Sequence, residues 1–149
     1  MSYQPMEDDE LLAFLLARPA RPAVLATTRP DGRPHAAPVW YDLDGPDLVR
    51  GALVFNTGAD TVKGRNMALR PEVTLVVQDD RAPFSFAVLS GTATLVDDLE
   101  QVRSWAGRIG GRYMGEDQAE AYGDRNGVVG ELLVRVAVTH VVTARDVAG

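Results

Sequence analysis

The chain has 149 residues, of which 46% are hydrophobic, and this is the size and composition of one globular domain with a buried core. The formal net charge of −6 argues against a general nucleic-acid or anionic-membrane binder, because such partners require a positive surface. The absence of cysteine excludes disulfides, thiolate metal sites and cysteine nucleophiles.

The N-terminal segment predicts a short helix and not a leader sequence. Asp8 or Asp9 can cap a helix that continues to about Ala17, so residues 1–22 form a helix and its lead-in. The apolar run at residues 11–17 follows four acidic residues, which is the wrong charge for a signal peptide, and it is too short to span a bilayer. We therefore expect a cytoplasmic protein without a membrane or nucleic-acid partner.

Apolar and β-branched runs predict about six strands. The second strand contains Pro38, which cannot donate to a central ladder, so this strand is at an edge, bulged or open toward a ligand. Gly91 in the fifth strand predicts a bulge or bend. Pro30, Asp31 and Gly32 form a hairpin turn between the first two strands. The predicted strands cover residues 23–28, 35–42, 52–55, 73–78, 84–96 and 132–143.

Three further segments predict helices between the strands. Asp60 or Thr61 can cap a helix that stops at Arg70, because Pro71 cannot continue it. A longer helix is expected after residues 97–100, with an acidic capping box formed by Asp97 and Glu100 and an end at residues 110–111. Its apolar stripe consists of Leu99, Val102, Ala106 and Ile109. A short helix near residues 116–122 completes a helical insertion at 97–130, within a single α+β domain over residues 1–149.

Lys63 is the only lysine in the chain, since the other basic residues are arginines. It lies near the predicted start of the helix capped by Asp60 or Thr61, where free N–H groups and the helix dipole favour an anion. The surrounding segment lacks the glycine spacing of a Walker A loop and of a dinucleotide fingerprint. These features predict a phosphate site, with an ordinary solvated lysine as the alternative.

Other chemical sites are not supported by the residue spacing. His35 and His140 lack the pairing of a zinc helix, so no metal is expected. The serines lack a G-x-S-x-G elbow, and no hydrolase triad is visible. Trp40 and Tyr41 point to opposite faces of a regular strand; one belongs to the core, and the role of the other stays open.

The order of these elements resembles the pyridoxamine 5′-phosphate oxidase-like split β-barrel flavoproteins, and more narrowly their actinobacterial branch that uses the deazaflavin coenzyme F-420. The matching pieces are Ala26-Thr27 to Asp31-Gly32-Arg33-Pro34, Pro38-Val39-Trp40-Tyr41, Thr61-x-Lys63-x-Arg65-Asn66 ending at Pro71, and Gly91-Thr92-Ala93. The resemblance implies a six-stranded antiparallel split β-barrel, the FMN-binding split barrel, with peripheral helices. It also implies a homodimer with two cofactor sites at the interface.

Site residues follow from the resemblance. It implies that Thr57, Thr61, Lys63 and Asn66 hold the cofactor phosphate and that Pro38, Val39 and Trp40 line the ring system. The resemblance further implies that residues near Gln78 and Ser85 of the partner subunit complete the pocket. The resemblance assigns no catalytic residue, because the cofactor carries the hydride chemistry.

Two departures from the family pattern narrow the expected activity. Residues 143–149 lack the arginine-rich signature ending in proline that grips the substrate phosphate of true pyridoxamine phosphate oxidases, so vitamin B6 oxidation is not expected. Thr61 stands where FMN-binding oxidases usually have another base, and this favours the internal phosphodiester of F-420 over the FMN monoester. Arg65, Arg70 or Arg33 can meet the anionic oligoglutamate tail of F-420.

The expected function is therefore an F-420-dependent oxidoreductase that transfers a hydride to a small electron-poor organic acceptor. An FMN-dependent reductase or oxidase of the same fold is the first alternative. A non-catalytic flavin- or haem-binding protein is the second.

Overall fold

Seven antiparallel strands and four α-helices make up residues 3–149, the part of the chain that the computed structural model describes. None of the helices described is long and apolar enough to cross a membrane. The elements in chain order are α1 (Asp8–Leu15), β1 (Ala23–Thr28), β2 (Pro34–Val39), β3 (Asp42–Asp44), β4 (Ala52–Gly58), α2 (Val62–Leu69), β5 (Glu72–Asp79), β6 (Ser85–Val96), α3 (Leu99–Met114), α4 (Ala119–Asn126) and β7 (Glu131–Ala144), with a 3-10 turn at Glu116–Gln118.

The strands form one open sheet in the order β2-β1-β5-β6-β7-β4-β3, so the expectation of a six-stranded barrel is wrong in strand number and in closure. The extra strand arises because the predicted strand at 35–42 divides at Trp40 and Tyr41. The Tyr41 N–H donates to the Tyr113 hydroxyl (3.2 Å), and the Tyr41 carbonyl accepts from Arg112. Two residues of α3 thus take the hydrogen bonds that a continuous strand would have used. The position of β2 at an edge agrees with Pro38 in that strand.

The sheet curves around one core, and α3 covers a second. Alternate side chains of β1, β5 and β6, such as Leu25, Leu75 and Leu89, lie in the main cluster. β4 is covered on both faces, because Leu53 and Phe55 join the main cluster while Ala52 and Val54 pack against α3. Burial on both faces explains the apolar run at the start of β4. The same packing anchors the C-terminal end of β4, from which the chain continues into α2.

Gly91 marks a bulge, as predicted. The β6–β7 register shifts between Ser90 and Gly91, and a Cβ atom on Gly91 would lie 2.2 Å from the Ala137 carbonyl oxygen. Only glycine therefore allows the two strands to approach this closely.

Helix boundaries differ from the sequence expectations in α1, in α3 and in α4, which spans Ala119–Asn126 and not residues 116–122. α3 continues through Gly110 and Gly111 to Met114, because these glycines make room for α4: a Cβ on Gly110 would lie 2.3 Å from the Tyr122 Cβ. Asp98, and not Asp97, caps α3 by accepting from the Glu100 N–H, and Leu99 is exposed outside the apolar stripe. Glu7 caps α1, which ends at Leu15.

Candidate functional site

A cleft of about 460 Å³ opens where the end of β2, the end of β4 and the start of α2 face the α3–α4 pair. Its size is within the range of small-molecule sites. Residues from the strands and α2 form one side, and helical residues form the other. The lining consists of Pro22, Pro38, Val39, Trp40, Asn56, Lys63, Ala106, Ile109, Gly110, Tyr122 and Asn126.

The turn into α2 presents Lys63 to this cleft. Thr61 is the N-cap: its hydroxyl accepts from the Gly64 N–H (3.1 Å), donates to the Gly58 carbonyl (2.7 Å) and lies 3.3 Å from the Thr57 hydroxyl. Those three contacts use its donor and both acceptor positions. Thr61 therefore builds the turn, while Lys63 is the cation that reaches the cleft.

Two carboxylates stand near Lys63. The Asp60 Oδ1 and the Glu131 Oε1 lie 3.3 and 3.8 Å from the point that a Cβ on Gly58 would occupy. Burial and the Asp60 carboxylate raise the pKa of Glu131, and the Lys63 ammonium acts in the opposite direction. These carboxylates reduce the positive potential at the end of β4.

Trp40 forms an aromatic wall of the cleft. Its indole stacks on the Tyr113 ring with centroids 5.0 Å apart and planes 3° from parallel, and it lies 5.8 Å from the Tyr122 ring. The Tyr113 hydroxyl donates to the Arg21 carbonyl (2.8 Å), so the stack has a fixed base. Trp40 is 38% exposed and Tyr41 is 0% exposed, which assigns Tyr41 to the core and Trp40 to the cleft.

Arg112 is a buried support behind this wall. Its guanidinium donates to the carbonyls of Tyr41 and Leu15, the latter at 2.7 Å, and lies 4.7 Å from the Tyr41 ring centroid. The Tyr41 hydroxyl donates to the Leu15 carbonyl (2.6 Å), and burial raises the pKa of Tyr41 to about 12. These bonds tie α1, the β2–β3 junction and α3 together.

Asn56, Tyr122 and Asn126 also line the cleft, although the sequence reasoning assigned them no role. The Asn56 Nδ2 donates to the Val102 carbonyl (3.3 Å), whereas its Oδ1 is buried without a hydrogen-bond partner among residues 3–149. A polar residue directly after the apolar run 52–55 was the available signal for Asn56. No comparable signal marked the two α4 residues.

The structure brings only some of the predicted site residues together. Pro38, Val39, Trp40 and Lys63 come together in the cleft. Thr57 and Asn66 are buried beneath α2, where the Asn66 Nδ2 donates to the Thr27 hydroxyl (3.1 Å). Arg65 and Asn66 line a second hollow of about 380 Å³, together with Arg29, Pro30, Asp31, Arg33 and Val62.

Gln78 and Ser85 lie away from the cleft. They line a third hollow of about 430 Å³ with Val76, Asp79, Phe84, Phe86, Val88 and Val147. The Ser85 hydroxyl accepts from the Asp146 N–H (3.2 Å). One copy of the chain therefore does not bring these two residues to Lys63 and Trp40.

The cleft offers one cation, an aromatic wall and an apolar floor. Its lining includes no carboxylate and no histidine, and residues 3–149 contain no group of three or more His, Asp or Glu side chains that could hold a metal ion. These features fit a flat heteroaromatic ligand with an anionic group. They supply binding and orientation, with Lys63 and Tyr122 as the titratable side chains in the lining.

The chain matches the family model of pyridoxamine 5′-phosphate oxidase over residues 8–141. Comparison with curated proteins gives no significant match.

Among solved structures, the chain is similar to the conserved hypothetical protein Rv2991 of Mycobacterium tuberculosis, with a TM-score of 0.80, 21% identity, and coverage of 100% of this chain and 92% of the other. It is similar to an F-420 reductase, with a TM-score of 0.65, 26% identity and coverage of 87% and 94%. It is also similar to HutZ, the haem storage protein of Vibrio cholerae, with a TM-score of 0.69, 16% identity and coverage of 92% and 94%.

Proposed function

The chain belongs to the pyridoxamine 5′-phosphate oxidase family, and on that premise we propose that it is an F-420-dependent oxidoreductase acting on a small electron-poor organic acceptor. The observation that carries the proposal is the cleft in which Lys63 faces Pro38, Val39 and Trp40. The similarity to an F-420 reductase at 26% identity supports the same cofactor.

The local charge favours a phosphodiester over a phosphate monoester. Lys63 is the one basic residue in the cleft lining, and the carboxylates of Asp60 and Glu131 lie close to the same turn. A monoester with nearly two negative charges needs more positive compensation than a diester with one. The cleft therefore suits the internal phosphodiester of F-420 better than the terminal phosphate of FMN.

The second hollow suits the anionic tail of F-420. It contains Arg29, Arg33 and Arg65, of which Arg33 pairs with Asp31 (2.8 Å). Val62 and Arg65 of α2 line this hollow, whereas Lys63 lines the cleft. One ligand that passes around the start of α2 would meet both groups of cations.

The chain's own contribution to the reaction is binding, orientation and exclusion of water. The bound deazaflavin supplies the hydride. Trp40, held by Tyr113, gives an aromatic surface for the ring, and Ile109 of α3 and Tyr122 of α4 line the same cleft. The acceptor then binds in the same cleft, next to the ring.

We further propose a homodimer in which Gln78 and Ser85 of one copy approach the cleft of the other. The outer face of the sheet carries a row of valines in register across four strands: Val24, Val76, Val88 and Val142. Val24 is 46% and Val142 is 49% exposed, so this row is an apolar surface suited to a partner. Analytical ultracentrifugation should give a dimer at low concentration, and Val88→Asp should give a monomer; a wild-type monomer that binds cofactor would contradict the proposal.

Anaerobic mixing of the protein with reduced F-420 and a panel of enones and quinones tests the oxidoreductase proposal. At least one acceptor should reoxidise the cofactor faster than it does without protein. Tight F-420 binding with no acceleration across the panel would instead favour a carrier. A protein that is yellow with a flavin spectrum after purification would favour FMN. A haem protein is less consistent with the cleft, because neither His35 nor His140 lines it.

A further inference from the structure

The second half of β7 has a neighbouring strand on one edge only. β6 pairs with it as far as Ala144, whereas β4, on the other edge, pairs only as far as Val136. Among residues 3–149, the next backbone pairing on that edge is the bridge between Gln4 and Arg145. Residues 137–143 therefore leave a gap of about 20 Å along this edge of β7, at roughly 3.3 Å per residue.

The backbone of Val141 points into this gap. The Arg145 N–H donates to the Gln4 carbonyl (2.8 Å), so it faces away from β6. Because the N–H and C=O groups of an antiparallel strand alternate in direction, those of Thr143 and Val141 face the same way. The Met6 N–H donates to the Thr143 hydroxyl (2.8 Å), and the chain then turns into α1. The N–H and C=O of Val141 are thus left without a backbone partner within residues 3–149.

The sheet protects its two outer edges, but not this one. β2 carries Pro34 and Pro38, and β3 has only three residues, two of them aspartates. Prolines, charges and short strands all prevent pairing with another chain. Residues 137–143 contain no proline, Lys, Arg, Asp or Glu. The one irregularity is the bulged residue Thr139, and β7 is regular from there to its end.

A hollow of about 810 Å³ lies along the open edge, and we call it the edge hollow. α1 and the loop between β3 and β4 form its walls. Its floor is apolar and consists of Leu11, Leu12, Leu48, Val138 and Val141. All of these except Leu12 belong to the main core cluster or pack against it, so the floor is firmly supported. The edge hollow shares no lining residue with the cofactor cleft.

The rim of the edge hollow is acidic. Asp8, Asp9 and Asp47 line it, whereas its lining contains no Lys or Arg. Asp47 pairs with Arg50 (2.7 Å), but Asp8 and Asp9 form no ion pair within residues 3–149. Their two full charges exceed the roughly half positive charge at the N-terminus of α1. The rim therefore attracts cationic side chains.

We propose that the edge hollow is a docking site for an extended, basic segment of a partner protein, which adds to β7 as a strand at Val141. A strand offers the Val141 backbone both a donor and an acceptor, which a simple organic cation does not. Alternate side chains of the segment then face the apolar floor, and Lys or Arg side chains reach Asp8 and Asp9. The gap opens in the plane of the sheet, so docking does not use the face that carries the row of valines.

Fluorescence anisotropy with synthetic peptides tests the proposal on the full chain. The probes are labelled peptides of about seven residues, in which Lys or Arg alternates with Val, Ile or Leu. The tightest binder is then made in three further forms: with Glu in place of the basic residues, and with N-methyl groups on either the odd or the even backbone amides. The protein variants are Asp8→Asn/Asp9→Asn and the matched control Asp117→Asn/Glu120→Gln, whose carboxylates are exposed and outside the edge hollow. Thermal unfolding checks that all proteins are folded.

At least one basic peptide should bind the wild type with a Kd below about 100 μM, and its Glu form should not bind. Asp8→Asn/Asp9→Asn should weaken binding about fivefold at low salt, while the control variant binds as the wild type does. Only one of the two methylated peptides should lose binding, because only alternate N–H groups of an added strand face β7.

Three results would overturn the proposal. The first is that no basic peptide binds, and the second is that both methylated peptides bind equally. The third is that hexylamine binds as tightly as the peptides, which would make the edge hollow a site for small cations. Since F-420 is absent from these titrations, the result does not depend on the proposed function.

Discussion

Replacing Gly64 with alanine tests the geometry of the turn that presents Lys63. Gly64 is the third residue of α2, and a Cβ added there would lie 2.3 Å from the Gly58 carbonyl oxygen and 3.1 Å from the Thr61 hydroxyl. Ordinary Cβ contacts begin near 3.4 Å, so the start of α2 must move by about 1 Å away from the end of β4. Alanine favours a helix over glycine by about 1 kcal/mol, but overpacking against the backbone costs about 1–3 kcal/mol and disrupts the Thr61 cap, so we expect a net loss of about 1–2 kcal/mol.

Urea unfolding at equilibrium measures this loss, and a cofactor titration of the same variant should show weaker binding because Lys63 moves with the helix. Gly123→Ala in α4 is the matched control, since its nearest neighbour is also a backbone carbonyl oxygen, that of Arg103, at 3.3 Å. We expect this control to be neutral or stabilised, since helix propensity then dominates. A Gly64→Ala protein as stable as the Gly123→Ala protein would refute the close approach of α2 to β4.

Three further changes test the cleft and its support. Lys63→Ala should weaken F-420 binding by about 1.5–3 kcal/mol, the scale of a charge-assisted hydrogen bond. The control Arg50→Ala, at an exposed position, should bind F-420 as tightly as the wild type. If Lys63→Ala binds F-420 equally tightly, Lys63 is an ordinary solvated residue and not a cofactor ligand. Arg112→Met should lower the unfolding free energy by about 2–4 kcal/mol in denaturant melts, because the Tyr41 carbonyl loses the Arg112 donor and the Leu15 carbonyl keeps only the Tyr41 hydroxyl. The folded-state pKa of Tyr41, about 12, is above the unfolded value of 10.0, so its contribution is complete below pH 10 and is lost as pH rises toward 12, by up to about 3 kcal/mol. Tyr41→Phe should lack this alkaline loss, and an identical pH profile in both proteins would contradict the buried hydroxyl.

Features determined by neighbouring residues were predicted from the sequence. The Thr61 cap, the turn at Gly32 and the bulge at Gly91 each depend on a residue type that the local backbone requires. Pro38 predicted that its strand is at an edge, bulged or open toward a ligand, and β2 lies at an edge. The family could be predicted only from the order of several weak motifs over most of the chain. The match of the family model to residues 8–141 confirms that prediction.

Features that depend on distant contacts could not be predicted. α3 passes through Gly110 because Tyr122 packs against it, so tertiary packing overrides the usual tendency of glycine to end a helix. The break between β2 and β3 depends on Arg112 and Tyr113, about seventy residues further along the chain. The place of Asn56 in the cleft depends on Val102 of α3, which no local pattern around Asn56 indicates.

Competition between F-420 and FMN for the purified protein tests the central claim most directly. We predict that F-420 binds more tightly than FMN, that Lys63→Ala weakens it, and that FMN does not displace it at equal concentration. If F-420 binds no more tightly than FMN, the proposed cofactor is wrong, and the cleft at Lys63 and Trp40 belongs to a flavin.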